Sequence, residues 1–191
     1  MKKLVLALFC CLCVLFMVGC QGLAKKPPVK VTIEGDDSFP EFLVGKWQAD
    51  KGQWEFVFEP DGTISSAVID NGMVRVKPTS ERITTIPMKR KGKGIYKLGQ
   101  WTVQYFPANR ELVVEVVVDH FRLEMGPNTL EGNSEDWFIG RVSEDSQTWV
   151  AEWTSFPKYI AYTPAPNELP VDIEDSPRGT LIFKKVQQPG K

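Results

Sequence analysis

The stretch from Gln53 to Glu59 constrains the fold of this chain more than any other. In an extended chain its three aromatic side chains, Trp54, Phe56 and Phe58, lie on one face, while the glutamates lie on the other. This period of two residues is typical of a half-buried β-strand, because successive side chains of a strand point to opposite faces. Pro60-Asp61-Gly62 then turns the chain, so the stretch predicts one strand of a hairpin.

The same alternation of short strands and turns continues along the chain. Asp70-Asn71-Gly72 is a strong hairpin signal, because Asn-Gly accepts the positive φ angles of a primed turn. No window of useful length shows helical spacing. Strands are predicted over residues 29–33, 42–47, 53–59, 63–69, 73–77, 82–88, 95–98, 101–106, 111–124, 137–142, 148–155 and 180–186. Short strands at intervals of about 8–12 residues predict an all-β domain, a single antiparallel β-barrel or sandwich.

Three segments between these strands are predicted as loops. Residues 89–94 are basic and rich in glycine, and residues 126–136 are polar. Residues 157–177 contain five prolines and are therefore predicted to be irregular. The basic segment is interpreted as a solvated hairpin tip, with a phosphate or headgroup site as the less favoured alternative.

The N-terminus carries a separate signal. Lysines at positions 2 and 3 precede an apolar run over residues 4–18, which ends in Gly19 and Cys20. The run is shorter than the ~20 apolar residues that a spanning helix needs. In its charged start, apolar middle and Gly-Cys end it resembles the signal peptide of a bacterial lipoprotein. The alternatives are an uncleaved spanning helix and an ordinary secretory signal.

The lipoprotein resemblance implies a processed and anchored protein. Cys20 would be lipidated with fatty acids such as palmitate and would become the first residue of the mature chain. Gln21, rather than an aspartate, favours the outer membrane facing the periplasm if the organism has two membranes, and otherwise the cell envelope. Residues 1–19 are then the signal peptide, residues 20–41 the lipidated N-terminus and tether, and residues 42–187 the β-barrel domain.

Composition excludes several classes of function. Loss of the two signal-peptide lysines takes the formal net charge from −1 to −3, which leaves no basic excess for nucleic acid. Of the four cysteines only Cys20 would remain, so disulfides and thiolate metal sites are excluded. We therefore predict no metal, no cofactor and no nucleic acid; a protein partner is left unspecified.

The chain shows no catalytic motif. His120 is the single histidine, and its neighbour Asp119 points to the opposite face of a strand, so the two cannot form a catalytic pair by themselves. No Gly-x-Ser-x-Gly motif is present. The turns at residues 61–62 and 70–72 lack the ligand spacing of a calcium loop. We predict no catalytic residue and no enzyme, with a hydrolase kept only as a minor alternative.

A second resemblance concerns the start of the domain. Gly45-Lys46-Trp47 is similar to the Gly-x-Trp motif that opens lipocalin and calycin barrels, and residues 54–63 look like small bacterial lipocalin-like lipoproteins. In that family the tryptophan closes one end of the barrel and stacks under a basic residue of the last strand. The resemblance implies this role for Lys184 or Lys185, where an arginine is usual. The mid-chain Thr-Asp-Tyr motif and a C-terminal helix are missing.

The aromatic residues allow two interpretations. They either fill the barrel as a solid core or line a cup for a small apolar ligand. The predicted ligand-binding residues are Trp54, Phe56, Phe58, Trp101 and Trp153. The expected function is a lipid-anchored extracytoplasmic β-barrel that binds a small apolar ligand. The alternative is an envelope scaffold or protein-interaction lipoprotein with no ligand.

Overall fold

The structure, a computed structural model, describes residues 28–35, 38–69, 74–78, 84–88, 92–163 and 177–187. Its regular elements are almost entirely strands, which confirms the all-β prediction. The one helical element among the described residues is a short 3-10 turn, Glu41–Leu43. The strands are β1 (Val29–Ile33), β2 (Gly45–Ala49), β3 (Glu55–Phe58), β4 (Ile64–Ile69), β5 (Val74–Val76), β6 (Thr84–Met88), β7 (Gly92–Leu98), β8 (Trp101–Phe106), β9 (Glu111–Met125), β10 (Asn128–Val142), β11 (Thr148–Ser155), β12 (Lys158–Thr163) and β13 (Arg178–Lys185).

All of these strands belong to one mixed sheet. The main path runs β1-β8-β9-β10-β11-β13-β2-β3-β4-β5, with β7 also on β9, β6 on β7, and β12 on β10. Every pairing is antiparallel except that of β1 with β8, so the expectation of a purely antiparallel sheet is wrong at this edge. Within the described residues the hydrogen-bonded path has two ends, at β1 and β5, and does not close into a ring.

A long hairpin forms the centre of the sheet. β9 and β10 each have 15 residues and pair with each other along almost their whole length. β7 and β8 share the free edge of β9, and β11 and β12 share the free edge of β10. Each of these pairs of short strands therefore acts as one long strand with an interruption, at residues 99–100 and at residues 156–157.

Two predicted loops are partly strand. The segment 126–136, predicted as a polar loop, contains the first half of β10. Its side chains lack an apolar alternation because this part of β10 is only half-buried, so the sequence pattern does not show the pairing. The proline-rich segment 157–177 contains β12, whose partner is that same half of β10.

Some of the predicted loops, and the predicted signal peptide, lie partly or wholly outside the described residues. Gly92 to Gly94, predicted as loop, form the start of β7. Residues 89–91, 164–176 and the Asp70-Asn71-Gly72 turn lie outside the described residues, as do the predicted signal peptide and Cys20.

The predicted tether over residues 20–41 is wrong for its described part. Val29 and Phe39 are only 3% and 6% exposed and belong to the hydrophobic core. β1 lies against β8, and the ring of Phe39 packs 5.8 Å from that of Phe58. The strand predicted over residues 29–33 is confirmed with the same bounds, and the burial of Val29 and Phe39 joins this segment to the domain.

The inner face of the sheet is filled with aromatic rings. Trp149 stacks on Phe183 at 4.5 Å between ring centroids, and Phe183 lies 5.6 Å from Phe56. Phe138 meets Phe56 edge-on at 5.2 Å. Such offset and edge-to-face contacts are the favourable geometries for aromatic pairs. This part of the interior therefore matches the solid-core interpretation.

One end of this core is covered, and we call it the closed end. The Trp47 indole is fully buried and donates its Nε1 hydrogen to the Leu43 carbonyl at 2.8 Å. Lys185 places its Nζ 6.0 Å from the centre of the Trp47 ring and donates to the Phe42 carbonyl at 2.7 Å. The Arg110 guanidinium lies 4.5 Å above the Phe42 ring. These five residues define the closed end.

Candidate functional site

A partly enclosed cavity of about 150 Å³ lies at the opposite end of the core. It opens where the chain enters β3 at Trp54 and leaves β11 at Ser155. Val118, Leu123 and Leu130 form much of its apolar wall. We call this space the cavity.

Irregular strand pairing surrounds the cavity. The β9–β10 register shifts near Asn133, the β7–β9 register shifts near Asp119, and the β10–β12 register shifts near Ile160. A bulge bends its strand and disrupts the local ladder. Residues 99–100 interrupt the strand pair β7 and β8, and residues 156–157 interrupt the strand pair β11 and β12. Beside the cavity, β9, β10 and these two interrupted pairs are therefore all irregular, and their inner side chains do not form the regular layers of the solid core.

Five aromatic residues line the cavity. Trp54 is 2% exposed and lies 5.9 Å from Trp153, measured between ring centroids. Phe121 and Tyr159 meet edge-on at 6.1 Å. Tyr96, on β7, completes the set. Because an edge-on pair presents the edge of one ring beside the face of the other, the walls offer both aromatic faces and edges.

The polar part of the lining is small and centred on one carboxylate. Asp136 is 6% exposed, and its Oδ1 accepts a hydrogen bond from Trp153 Nε1 at 3.1 Å. Ser134 and Ser155 lie beside it, because Ser155 pairs with Asp136 across β11 and β10 and Ser134 is two residues earlier on the same face. An apolar cavity with a few convergent polar groups is the usual composition of a ligand site.

The five predicted ligand-binding residues do not all reach the cavity. All five lie on the inner face. Four of them are at most 2% exposed, and Trp153 pairs with the buried Phe138. Trp54 and Trp153 line the cavity. Phe56 and Phe58 are buried in the filled core, and Trp101 is buried with its Nε1 donating to the Val117 carbonyl at 3.0 Å. These three are therefore structural residues and not part of the cavity wall.

Sequence reasoning missed the polar residues of the cavity. Ser134 and Asp136 lie in the segment predicted as loop, and Tyr159 lies in the segment predicted as irregular. The period-two series Ser134, Asp136, Phe138 places all three on one face of β10, and this is the signal that could have identified them. The series does not stand out as an inward face of a strand, because two of its three members are polar.

The other candidate sites have simple structural roles. His120 lies on the outer face, 40% exposed, with Nε2 at 3.6 Å from Glu131 Oε2. Asp61 accepts bonds from the hydroxyl and the backbone N–H of Thr63, and these bonds lower the pKa of its carboxyl. Asp145 accepts from the Ser143 hydroxyl and the Gln147 N–H in a similar turn, which lowers its pKa. Both aspartates therefore stabilise the turns in which they lie.

Within the described residues, no cluster of three or more His, Cys, Asp or Glu side chains is placed to hold a metal ion. The same part of the chain contains no helix with the length and apolar character to cross a membrane.

Comparison of the chain with protein-family models, with curated proteins and with solved structures finds no match. The lipoprotein and lipocalin resemblances therefore stay predictions.

Proposed function

We propose that this protein is a lipid-anchored envelope lipoprotein whose lipocalin-like β-barrel binds a small, mainly apolar ligand in the cavity. The observation that carries the proposal is the cavity itself, which interrupts an otherwise filled aromatic core. Its lining is mainly apolar, with Asp136, Ser134 and Ser155 as convergent polar groups.

The volume limits what can bind. A cavity of about 150 Å³ is comparable to engineered cavities that take up benzene, and it is smaller than the ~300–1,000 Å³ of sites for drug-sized molecules. The ligand, or the part of it that enters, is therefore a compact group rather than a whole long acyl chain.

Two features support a lipocalin-like barrel. Lys185 of the last strand lies over the buried Trp47, which is the arrangement that the resemblance implies for the start of such barrels. In addition, β5 and β6 approach each other, so that the main path and its β6–β7 branch curve toward the same seam. These contacts are what a barrel with a weak seam between β5 and β6 requires.

The ligand proposal is tested with a series of neutral primary alcohols of increasing chain length. The full chain is held in lipid nanodiscs, with empty nanodiscs as the blank, and tryptophan emission and calorimetry are recorded. We expect saturable binding whose affinity rises about fourfold for each added methylene. The rise ends at the length that fills the cavity, because further methylenes remain in water.

A matched pair of variants locates the binding. Ser155→Phe places a ring into the cavity and should abolish alcohol binding, whereas Thr154→Phe adds the same ring on the opposite face of β11 and should leave it unchanged. Binding that does not saturate, or that survives Ser155→Phe in a folded protein, would remove the ligand-binding proposal.

The anchor has its own test. Cys20→Ser removes the only thiol that the lipoprotein resemblance assigns to acylation, so fatty-acid labelling should disappear and the precursor should accumulate uncleaved. Cys13→Ser is the matched control and should leave labelling and cleavage unchanged, because residue 13 leaves with the signal peptide. Normal labelling and membrane retention of Cys20→Ser would contradict the assignment.

The filled part of the core favours the alternative function of a scaffold without a ligand. Trp149, Phe183, Phe56 and Phe138 leave no space for a ligand over most of the inner face. If the alcohols fail to bind while the domain is folded, this alternative takes first place.

A further inference from the structure

We propose that the outer face of β10 and β11 is an interface at which two copies of this chain dock around a two-fold axis. The residues that form it point away from the core, so it is separate from the cavity. Its apolar and charged side chains are arranged so that the surface is complementary to itself. We call these four residues the outer patch: Ile139, Arg141, Val150 and Glu152.

The outer patch exposes large apolar side chains. Ile139 is 43% exposed and Val150 is 45% exposed. Their chain neighbours Phe138 and Trp149 are fully buried, so the exposed pair lies on the opposite face of the sheet. Ile182 of β13, also exposed, pairs directly with Val150 and extends the apolar surface to a third strand. Contiguous apolar side chains with a polar rim are typical of an interaction site.

Two opposite charges complete the outer patch. Ile139 of β10 pairs with Glu152 of β11, and two residues further along Arg141 pairs with Val150. The apolar residues therefore occupy one diagonal of a four-residue square, and the charged residues occupy the other. No ion pair of the described residues uses either charge, and Glu152 accepts only a hydroxyl hydrogen bond, from Thr180.

This square is self-complementary under a two-fold rotation. When a second copy is turned over about the apolar diagonal, Ile139 and Val150 each meet their own counterpart. The same rotation exchanges the two charged corners, so Arg141 of each copy faces Glu152 of the other. A two-fold interface uses the same patch on both copies, and this patch meets that requirement.

The charges also select one orientation of the second copy. A rotation about the charged diagonal would bring Arg141 against Arg141 and Glu152 against Glu152, and like charges placed together disfavour a complex. Only the rotation about the apolar diagonal buries the apolar side chains against each other and pairs the charges. The occupant of this face is therefore a second copy of the chain in a defined orientation.

The first experiment is sedimentation velocity of the full chain in detergent micelles over a series of dilutions. We expect a reversible dimer. Val150→Lys places a positive charge against its own counterpart on the axis, so the dimer should be lost. Ile160→Lys is the matched control, because residue 160 lies on β12 outside the outer patch and is still more exposed, and it should leave the dimer unchanged.

The second experiment exchanges the charges. Arg141→Glu and Glu152→Arg each place like charges opposite one another, so each variant alone should dimerise at least about tenfold more weakly than the unchanged chain. In an equimolar mixture of the two variants, opposite charges face each other again at both corners, and association should recover. A folding defect within one variant would persist in the mixture, so recovery requires contact between copies.

Three results would overturn the dimer. They are a monomer at every concentration, a dimer that survives Val150→Lys in the folded protein, and a mixture of the two charge variants that stays monomeric while circular dichroism shows both to be folded. In each case the outer patch would have to be assigned to a partner of another kind.

Discussion

The two ends of the aromatic core differ in how their inner positions are filled. At the closed end, Trp47 fills the space and its polar edge is bonded to the Leu43 carbonyl. At the cavity end, the corresponding inner positions of β10 and β11 hold Asp136 and Ser155. The cavity therefore arises from small polar residues on bulged strands, and not from a general lack of aromatic residues.

Trp54 marks the boundary between the two regions. Its ring contacts Phe138 edge-on at 4.9 Å on the side of the filled core and Trp153 at 5.9 Å on the side of the cavity. It is therefore both a core residue and a wall residue. Phe56, two residues further along the same face, lies wholly within the filled core.

The largest expected difference between the ends is in stability. Trp47→Ala should lower the free energy of unfolding by about 3–5 kcal/mol, because it empties a fully buried position. Trp153→Ala should cost roughly half as much, since its ring is only half-buried. Urea unfolding of both variants measures the difference. Equal losses would show that the cavity end is packed as tightly as the closed end.

Two glycines on the inner face provide a second test of how tightly each end is packed. A Cβ added at Gly140, near the closed end, would overlap the backbone of Val150 and Ala151, which cannot move without displacing β11. Gly140→Ala should therefore destabilise by about 1–3 kcal/mol. A Cβ at Gly179, which pairs with Trp153 at the cavity end, meets no atom within 4 Å. Gly179→Ala should leave stability unchanged or slightly raised, and thermal unfolding of both variants would show a reversal if the cavity end were filled.

A buried carboxylate on the outer face connects the strands that carry Trp47 and Trp54. Glu55 is paired with Lys46 of β2 and Arg75 of β5, each at 2.5 Å. Burial alone would raise the pKa of the Glu55 carboxyl, but the bonds from Arg75 and Lys46 outweigh it and hold the pKa below its ordinary value of 4.5.

Because this pKa is lowered in the folded state, the stabilisation is complete above the ordinary value of 4.5 and is lost as the pH falls through the folded pKa. Glu55→Gln should cost about 1.5 kcal/mol at pH 7, the lower end for bonds with charged partners, because Lys46 and Arg75 are partly exposed. The difference from the unchanged protein should shrink in acid. Urea unfolding across this pH range measures it, and a constant difference would assign the effect to packing.

The sequence predicts the strands of the closed end well, because their apolar residues alternate. The period-two pattern around Phe56 and the Gly-x-Trp motif at Trp47 both identify inner positions that the structure fills. The turns at Asp61 and Asp145 also follow from local chemistry, since each side chain bonds to residues two positions away.

The cavity end could not be predicted in the same way. Its residues come from segments that lack apolar alternation, and strand pairing over long distances decides their structure. β12 is a strand because it pairs with residues 129–133, and a sequence pattern does not show this partner. Phe58 lies four residues beyond Trp54 on the same extended stretch, which takes it away from the cavity, whereas the distance of Trp101 from the cavity depends on the order of strands in the sheet.

The smallest expected effect tests whether the two ends are independent. Lys185→Met keeps the apolar stem and removes the ammonium group, which bonds to the Phe42 carbonyl and lies over Trp47. The loss should be about 1 kcal/mol, below the usual value for a bond with a charged group, because this bond is only half-buried. Lys184→Met, on the exposed face of β13, is the control and should have almost no effect on stability.

Ligand binding at the cavity should be unchanged in both variants, because a filled aromatic core separates Lys185 from the cavity. A change in binding affinity for Lys185→Met alone would mean that the closed end controls the cavity, and the two ends would then have to be treated as one coupled unit.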